Sequence, residues 1–225
     1  MANCSISRLI NLTPISLDAL EGICARAFPN DPAALLLTGG DPSLIGPQFR
    51  AIIAAGHLAG EVYIASAKLS SSDAHAEKDV PVAVAVWFPP RTSLWSTEEQ
   101  RQLGFYDFVS KIEPVTREWL ETTKYKEEIG KFFNDSISPN TDVSSWVCNA
   151  IAIDPAYQRQ GIGSALIQDM VQKRGGTRSY LALCATNEKN AEWYKNRRFS
   201  LKGHIPKFTG PTGSVPVYAL GTSVE

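Results

Sequence analysis

Apolar and polar residues alternate along this chain in two periods, short runs of period two and longer stretches of period 3.6. Ser5–Ile10 reads as a first strand. Leu17, Leu20, Cys24 and Phe28 follow at helical spacing behind Ser16, a residue able to cap a helix. Pro29-Asn30-Asp31-Pro32 breaks that helix, and Thr38-Gly39-Gly40-Asp41-Pro42 is a second loop signal. Helical character returns over Gln48–Ala59, followed by the strand Glu61–Ala67. The small, polar run 70–79 (SSSDAHAEKD) reads as a hairpin loop feeding the strand Val82–Phe88.

Beyond Pro89-Pro90 the pattern becomes helical and aromatic. Ser96 and Glu99 have capping-box spacing, and Phe105, Phe108, Val109 and Ile112 form the stripe of the helix they would open. Glu113-Pro114 ends it and starts another, with Val115, Trp119 and Leu120 on one face; Tyr125–Phe133 continues the block. Residues 91–145 are therefore expected to form a helical insertion between two strands, covering one side of the sheet. Trp146–Ile153 (WVCNAIAI) reads as a buried strand stopped by Asp154-Pro155. Gly163, Leu166, Ile167, Met170 and Val171 then repeat at helical spacing. Tyr180–Ala185 is another strand, and Asn187 caps a helix running to about Phe199. Ser200–Phe208 and Ser214–Leu220 complete a hairpin across 210–213.

Composition narrows the classes. With 225 residues, 44% hydrophobic and 20% charged, the chain reads as one globular domain, 1–225, that carries an insertion. A net charge of −1 with scattered Lys and Arg gives no footprint for nucleic acid or an anionic membrane. No apolar run approaches the roughly 20 residues that span a bilayer, and MANCSISRLI lacks the pattern of a secretory leader. Cys4, Cys24, Cys148 and Cys184 have no metal-ligand spacing, and three of them sit in apolar surroundings. They read as buried free thiols in a reducing, cytoplasmic compartment. His57, His75 and His204 are isolated from one another, so no metal site is expected.

The chemistry is concentrated at Gln158-Arg159-Gln160-Gly161-Ile162-Gly163-Ser164, a strand-to-helix turn. The first turn of a helix leaves backbone N–H groups without partners, and the macrodipole adds partial positive charge there. Glycines at 161 and 163 would let a phosphate approach those amides, although they can equally serve close packing of helix on sheet. The dinucleotide fingerprint GxGxxG is absent, because position 166 is Leu, and so is GxxxxGK[ST].

The turn does match Q/R-x-x-G-x-G/A, and AIAIDPAYQRQGIGSALI as a whole resembles the central motif of the GNAT N-acetyltransferase superfamily. Downstream, Asn187, Asn190 and Tyr194 fall on one helix face. The stretch resembles that family's N-x-x-N/A-x-x-x-Y-x-x-x-G-F, with Phe199 as the closing aromatic and Arg198 where Gly is usual. The resemblance is strong over 146–200. It implies a mixed, mostly antiparallel α/β sheet of about seven strands with helices on both faces. It also implies acetyl-coenzyme A (acetyl-CoA) as co-substrate. On that reading, amides from Arg159 to Ser164 hold the pyrophosphate, Ala152 and Ile153 pair with the pantetheine arm, Asn187 and Asn190 line the same arm, and Tyr194 points at the thioester sulfur.

The expected activity is acetyl transfer to an amine. A backbone N–H around Ile151 to Ile153 would meet the oxyanion, and Tyr194, with a reference pKa of about 10, would protonate the departing thiolate. Trp146–Ile153 carries no Glu or Asp to act as base, and no spacing selects among Asp31, Glu98 and Glu99. Trp87, Phe88, Trp95, Phe105 and Tyr106 could line a cleft for a small, partly apolar amine. A small-molecule amine is therefore the favoured acceptor, for a monomer or homodimer. A protein N-terminus or lysine as acceptor, and a non-catalytic acyl-CoA sensor on the same fold, stay open.

Overall fold

The computed structural model describes residues 4–70, 77–121, 123–137, 145–177 and 179–224. Most of the expected hairpin loop, 71–76, and with it His75, lies outside them. One sheet of seven strands organises the chain: β1 (Cys4–Arg8), β2 (Glu61–Ser70), β3 (Glu77–Phe88), β4 (Ser145–Ile153), β5 (Ser179–Ala185), β6 (Ser200–Gly210) and β7 (Gly213–Val224). Their order is β1-β2-β3-β4-β5-β7-β6, and every neighbouring pair is antiparallel except β4 with β5. This is the mixed, mostly antiparallel sheet that the resemblance implies.

The period-two alternation of the central strands separates two cores. On one face Ala83, Ala85, Trp87, Cys148, Leu181 and Leu183 pack beneath α8 (Ile162–Arg174) and α9 (Glu188–Lys195). On the other, Val62, Val84, Val86, Phe88, Ala150 and Ala152 pack beneath α1 (Pro14–Ala27) and α3 (Ile45–Ala59). Along the same second face, α7 (Thr123–Ile137) covers β5 and β7. Its C-terminal half, with Phe132, Phe133 and Ile137, lies over Tyr180, Ala182 and Ala219. Its N-terminal half, with Tyr125 and Ile129, lies over Phe208, Val215 and Val217. The helix thus runs antiparallel to β5, and its first turn sits at that strand's C-terminal end. Among the described residues no helix is long and apolar enough to cross a membrane.

Several local expectations shift. The first helix is capped by Thr13, not Ser16; Ser16 occupies the third helical position and completes the box by accepting the Thr13 N–H at 2.9 Å. Thr97, not Ser96, caps α4 (Glu98–Gln102). The single helix expected from 96 to 112 is two short ones, because Gly104 adopts φ +116° between α4 and α5 (Phe105–Ser110). In α6 (Pro114–Glu121) Thr116 and Leu120 face inward, whereas Val115 is 62% exposed. A further short helix, α2 (Pro32–Leu37), follows the Pro29–Pro32 break, capped by Asp31. The last helix ends at Lys195, short of Phe199.

Candidate active site

The parallel pair at the centre of the sheet is incomplete. β4 and β5 are in register from Ser145↔Tyr180 to Cys148↔Leu183, and pairing ends there. β4 itself continues, paired with β3 as far as Ile153↔Ala83. The split begins at a β-bulge: Ala150 faces Val86 and Cys148 faces Trp87, so Asn149 is the extra residue. A bulge increases local twist and turns the strand away from its other neighbour. The Asp154 N–H donates to the Val82 carbonyl at 2.9 Å, and the antiparallel alternation then fixes the polar groups upstream. Ala152 turns its N–H and C=O toward β3, while Ile151 and Ile153 turn theirs into the split. The Gln158 side-chain amide already donates to the Ile153 carbonyl at 3.1 Å.

Beyond β4 the chain tightens into the turn. One Asp154 oxygen accepts the Ala156 N–H at 3.1 Å, and the other accepts Arg26 from the last turn of α1 at 2.6 Å. Gln160 donates to the Ala156 carbonyl. Arg159 is left-handed at φ +60° and Gly161, the N-cap of α8, at φ +90°. A glycine N-cap has no side chain to offer, so the amides of Ile162, Gly163 and Ser164 have no intrahelical partner. The exposed turn 158–161 thus presents a row of unsatisfied donors at the positive end of a 13-residue helix. Gly163 has a different task. A Cβ there would lie 3.3 Å from Ile153 and 3.4 Å from Trp193, so its small size lets α8 seat against β4 and α9.

On α9, Asn187 caps the helix by accepting the Asn190 N–H at 2.8 Å, which leaves the exposed Asn190 side chain uncommitted. Tyr194 is 7% exposed in the core beneath α8 and α9. Its ring meets Trp193 and Phe199 edge-on at 4.9 and 5.7 Å. Burial, and after it the nearby Cys148 thiol, hold its phenol far above the ordinary tyrosine range. Burial likewise pushes the Cys148 thiol up to about 12. Among the described residues, the Tyr194 hydroxyl has no hydrogen-bond partner. Arg198 is left-handed at φ +68°, the backbone that explains why glycine is usual there.

One residue near this site escaped sequence reasoning. Arg197 stacks on Trp193 at 3.7 Å and donates to Ser164 Oγ through Nε at 2.9 Å and Nη2 at 2.8 Å. It ties α9 to the first turn of α8 and occupies the Ser164 hydroxyl. The only sequence signal was a second arginine beside Arg198, at a position the resembling motif leaves open.

The aromatic residues expected to line a cleft do not. Trp87 and Phe88 are fully buried in opposite cores. Trp95 packs on Phe105 at 4.5 Å within the helical block, and the exposed Tyr106 hydroxyl donates to Glu98 at 2.6 Å. Of the three carboxylates considered, Glu98 is bound in that way and Glu99 is held by its own backbone and Thr97. Asp31 uses one oxygen to accept the Ala33 and Ala34 N–H groups and leaves the other uncommitted. His57 Nε2 lies 2.9 Å from the Ile10 carbonyl. His204 is exposed on the edge strand β6 and stacks on Tyr218. Among the described residues no group of His, Cys, Asp and Glu could hold a metal. Cys24 and Cys148 are buried free thiols, but Cys184 is exposed.

Residues 125–200 match the family model described as "Acetyltransferase (GNAT) domain". The matched stretch opens inside the helical block and runs through β4, the turn, β5 and α9. No curated protein matches the chain in sequence. Solved structures share its fold at low identity. An arylalkylamine N-acetyltransferase 7, described as putative, from the yellow fever mosquito Aedes aegypti superposes with a TM-score of 0.61 at 12% identity, over 99% of this chain and 88% of that one. A histone acetyltransferase HPA2 and related acetyltransferase from Corynebacterium glutamicum gives 0.57 at 17% identity, over 97% and 96%. Arabidopsis thaliana NAA60, solved in complex with acetyl-CoA, gives 0.54 at 14% identity, over 99% of both. Residues 125–200 thus carry the match to the GNAT acetyltransferase domain, and the chain as a whole shares the fold of these acetyltransferase structures.

Proposed function

We propose that residues 1–225 act as one N-acetyltransferase unit that moves the acetyl group of acetyl-CoA onto a primary amine of a small molecule. The observation that carries this reading is the alignment of three features along one line. Uncapped amides at 159–164 lie at one end, the open edge of β4 beyond Cys148 continues from them, and Tyr194 lies alongside in the core that includes Cys148. Pyrophosphate oxygens would take the amides of the turn. The pantetheine arm would lie along the split, using the groups of Ile151 and Ile153. Ala152, whose polar backbone faces β3, contributes only its side of the strand. Asn187 and Asn190 would flank the same arm from α9.

In the transfer step the neutral amine attacks the thioester carbonyl, and the oxyanion is met by an N–H on the open edge, Ile151 or Ile153. Collapse breaks the C–S bond, and the thiolate takes the Tyr194 proton. The nitrogen, cationic once the C–N bond has formed, releases a proton to solvent; the products are the N-acetylated amine and CoA, and Tyr194 recovers a proton from solvent. The amine sheds its own proton before attack, and Asp31 is the carboxylate among the three with an oxygen to spare for it. Four free thiols suit a reducing, cytoplasmic setting. Thermal unfolding tests the binding step: acetyl-CoA should raise the midpoint, whereas NAD and ATP should not. Thiol release over a panel of amines tests the transfer. Protection by NAD or ATP in place of acetyl-CoA would sink the reading.

A further inference from the structure

The helices α6 and α7 bring two aromatic rings against a third, from β6, on the far side of the split. Trp119 of α6, Tyr125 of α7 and Phe208 of β6 stand in a triangle with centroid separations of 5.0, 5.7 and 6.0 Å. None of the three comes from the cofactor-side elements α8 and α9. Their place follows from strand register. Cys184 is the first β5 residue beyond the last β4–β5 pair. It pairs with Ala219 of β7, so it shares the face on which Val215, Val217 and Ala219 lie beneath α7. Tyr125 packs on that same Val215–Val217 patch. The triangle therefore stands beside the open end of the split, on the face opposite α8.

Cys184 shows that this place is open and not closed core. It is exposed to solvent. Trp119 and Tyr125 are only half-buried, in contrast to Phe208 behind them. Burial, and after it the neighbouring Cys184, raise the Tyr125 phenol to about 12. Two partly open rings backed by a third, beside an exposed thiol, offer apolar area and ring edges.

Resting on the proposed transfer reaction, we infer that Trp119, Tyr125 and Phe208 form the acceptor-selecting wall and that the acceptor is an amine on a short arm carrying an aromatic ring. The ring would pack against Tyr125 and Trp119 over Cys184, and the amino group would extend through the split toward the thioester. The helical block then serves as the specificity element of the enzyme.

Steady-state thiol release tests this with 2-phenylethylamine, n-butylamine and a lysine-containing peptide, each at saturating acetyl-CoA. The unaltered protein should show kcat/KM for 2-phenylethylamine at least about tenfold above that for n-butylamine. Tyr125→Ala and Trp119→Ala should bring the ratio close to one while the KM for acetyl-CoA stays within about twofold. Tyr125→Phe, which keeps the ring, should preserve the ratio, as a role in packing demands. The comparison of amines on the unaltered protein stands even where an alanine variant does not fold. Thiol release without preference for the ring, or with preference for the peptide, overturns this inference alone. No release with any amine overturns the transfer reaction itself.

Discussion

Tyr194 carries the chemical step in this account, and its surroundings set what it can do. A phenol buried against Trp193 and Phe199 is held far above its ordinary pKa, so it stays protonated at every pH at which the protein works. Tyr194→Phe should lower kcat by about 100-fold, the usual order for loss of a positioned acid. The acetyl-CoA dissociation constant, measured by titration calorimetry, should change by less than about twofold. The pH profile separates donor from acceptor. Below an amine pKa of about 10, the neutral fraction of the amine grows about tenfold per pH unit. With kcat/KM for the amine measured from pH 7 to 9, a rising limb is expected, and no falling limb from Tyr194. A fall below pH 9 would mean that some other group is the acid. At this scale Asn187 as a cap and Tyr194 on the helix that follows were legible in the sequence, and the roles proposed for them come from the resemblance. Arg197 was not. Its partner Ser164 is 33 positions away, and a serine hydroxyl gives no charge pattern to read.

At the scale of elements, the sequence marked helix and strand types well and their ends less well. Thr13 and Ser16 both suit a cap, and the box they form satisfies both ends, so spacing alone could not say which opens the helix. The apolar stripe begins only at Phe105, so it could not show that the helix opened by the cap at 96–97 stops before Gly104 and a second one starts after it. That the end of β4 would pair with the pantetheine arm was expected from resemblance, but the bulge at Asn149, where β4 leaves β5, is a matter of register and lies below what a single strand pattern can show. Arg198 supplies a test here. A side chain in the left-handed region costs about 1–2 kcal/mol, and glycine gives back about 0.5–1 kcal/mol in unfolded-chain entropy. Its exposed guanidinium makes no ion pair among the described residues. Arg198→Gly should therefore stabilise the protein by roughly 0.5–1 kcal/mol, raising the thermal midpoint by about 2 °C. An unchanged or lowered midpoint would assign the side chain a contact of its own.

Across the whole molecule, the sheet separates two kinds of traffic. The helices α8 and α9 occupy the face that supplies amides and Tyr194, while α1, α2 and α7 occupy the face through which an acceptor would come. The placement of α7 was not legible, since nothing in its periodicity says which strand it lies along; the alternation of β5 and β7 decides it. The many neutral thiols and phenols inside also give the molecule a predictable weakness. Burial raises Cys24, Cys148, Tyr125 and Tyr194 from their ordinary values of 9.0 and 10.0. The folded chain keeps these protons where the unfolded chain releases them, so stability is full below about pH 9 and is lost as pH climbs from there toward 12. Urea midpoints should be level from pH 7 to 8.5 and fall steadily above pH 9. Cys148→Ser should make that slope shallower.

The central claim is that acetyl-CoA occupies the split between β4 and β5 with its pyrophosphate on the turn. A crystal structure of the protein with acetyl-CoA bound tests it most directly. The account predicts pyrophosphate oxygens within hydrogen-bonding distance of the amides of residues 159–164, pantetheine groups bonded to Ile151 or Ile153, and the thioester sulfur beside the Tyr194 hydroxyl. A cofactor found elsewhere on the fold, or one whose thioester lies away from Tyr194, would contradict it.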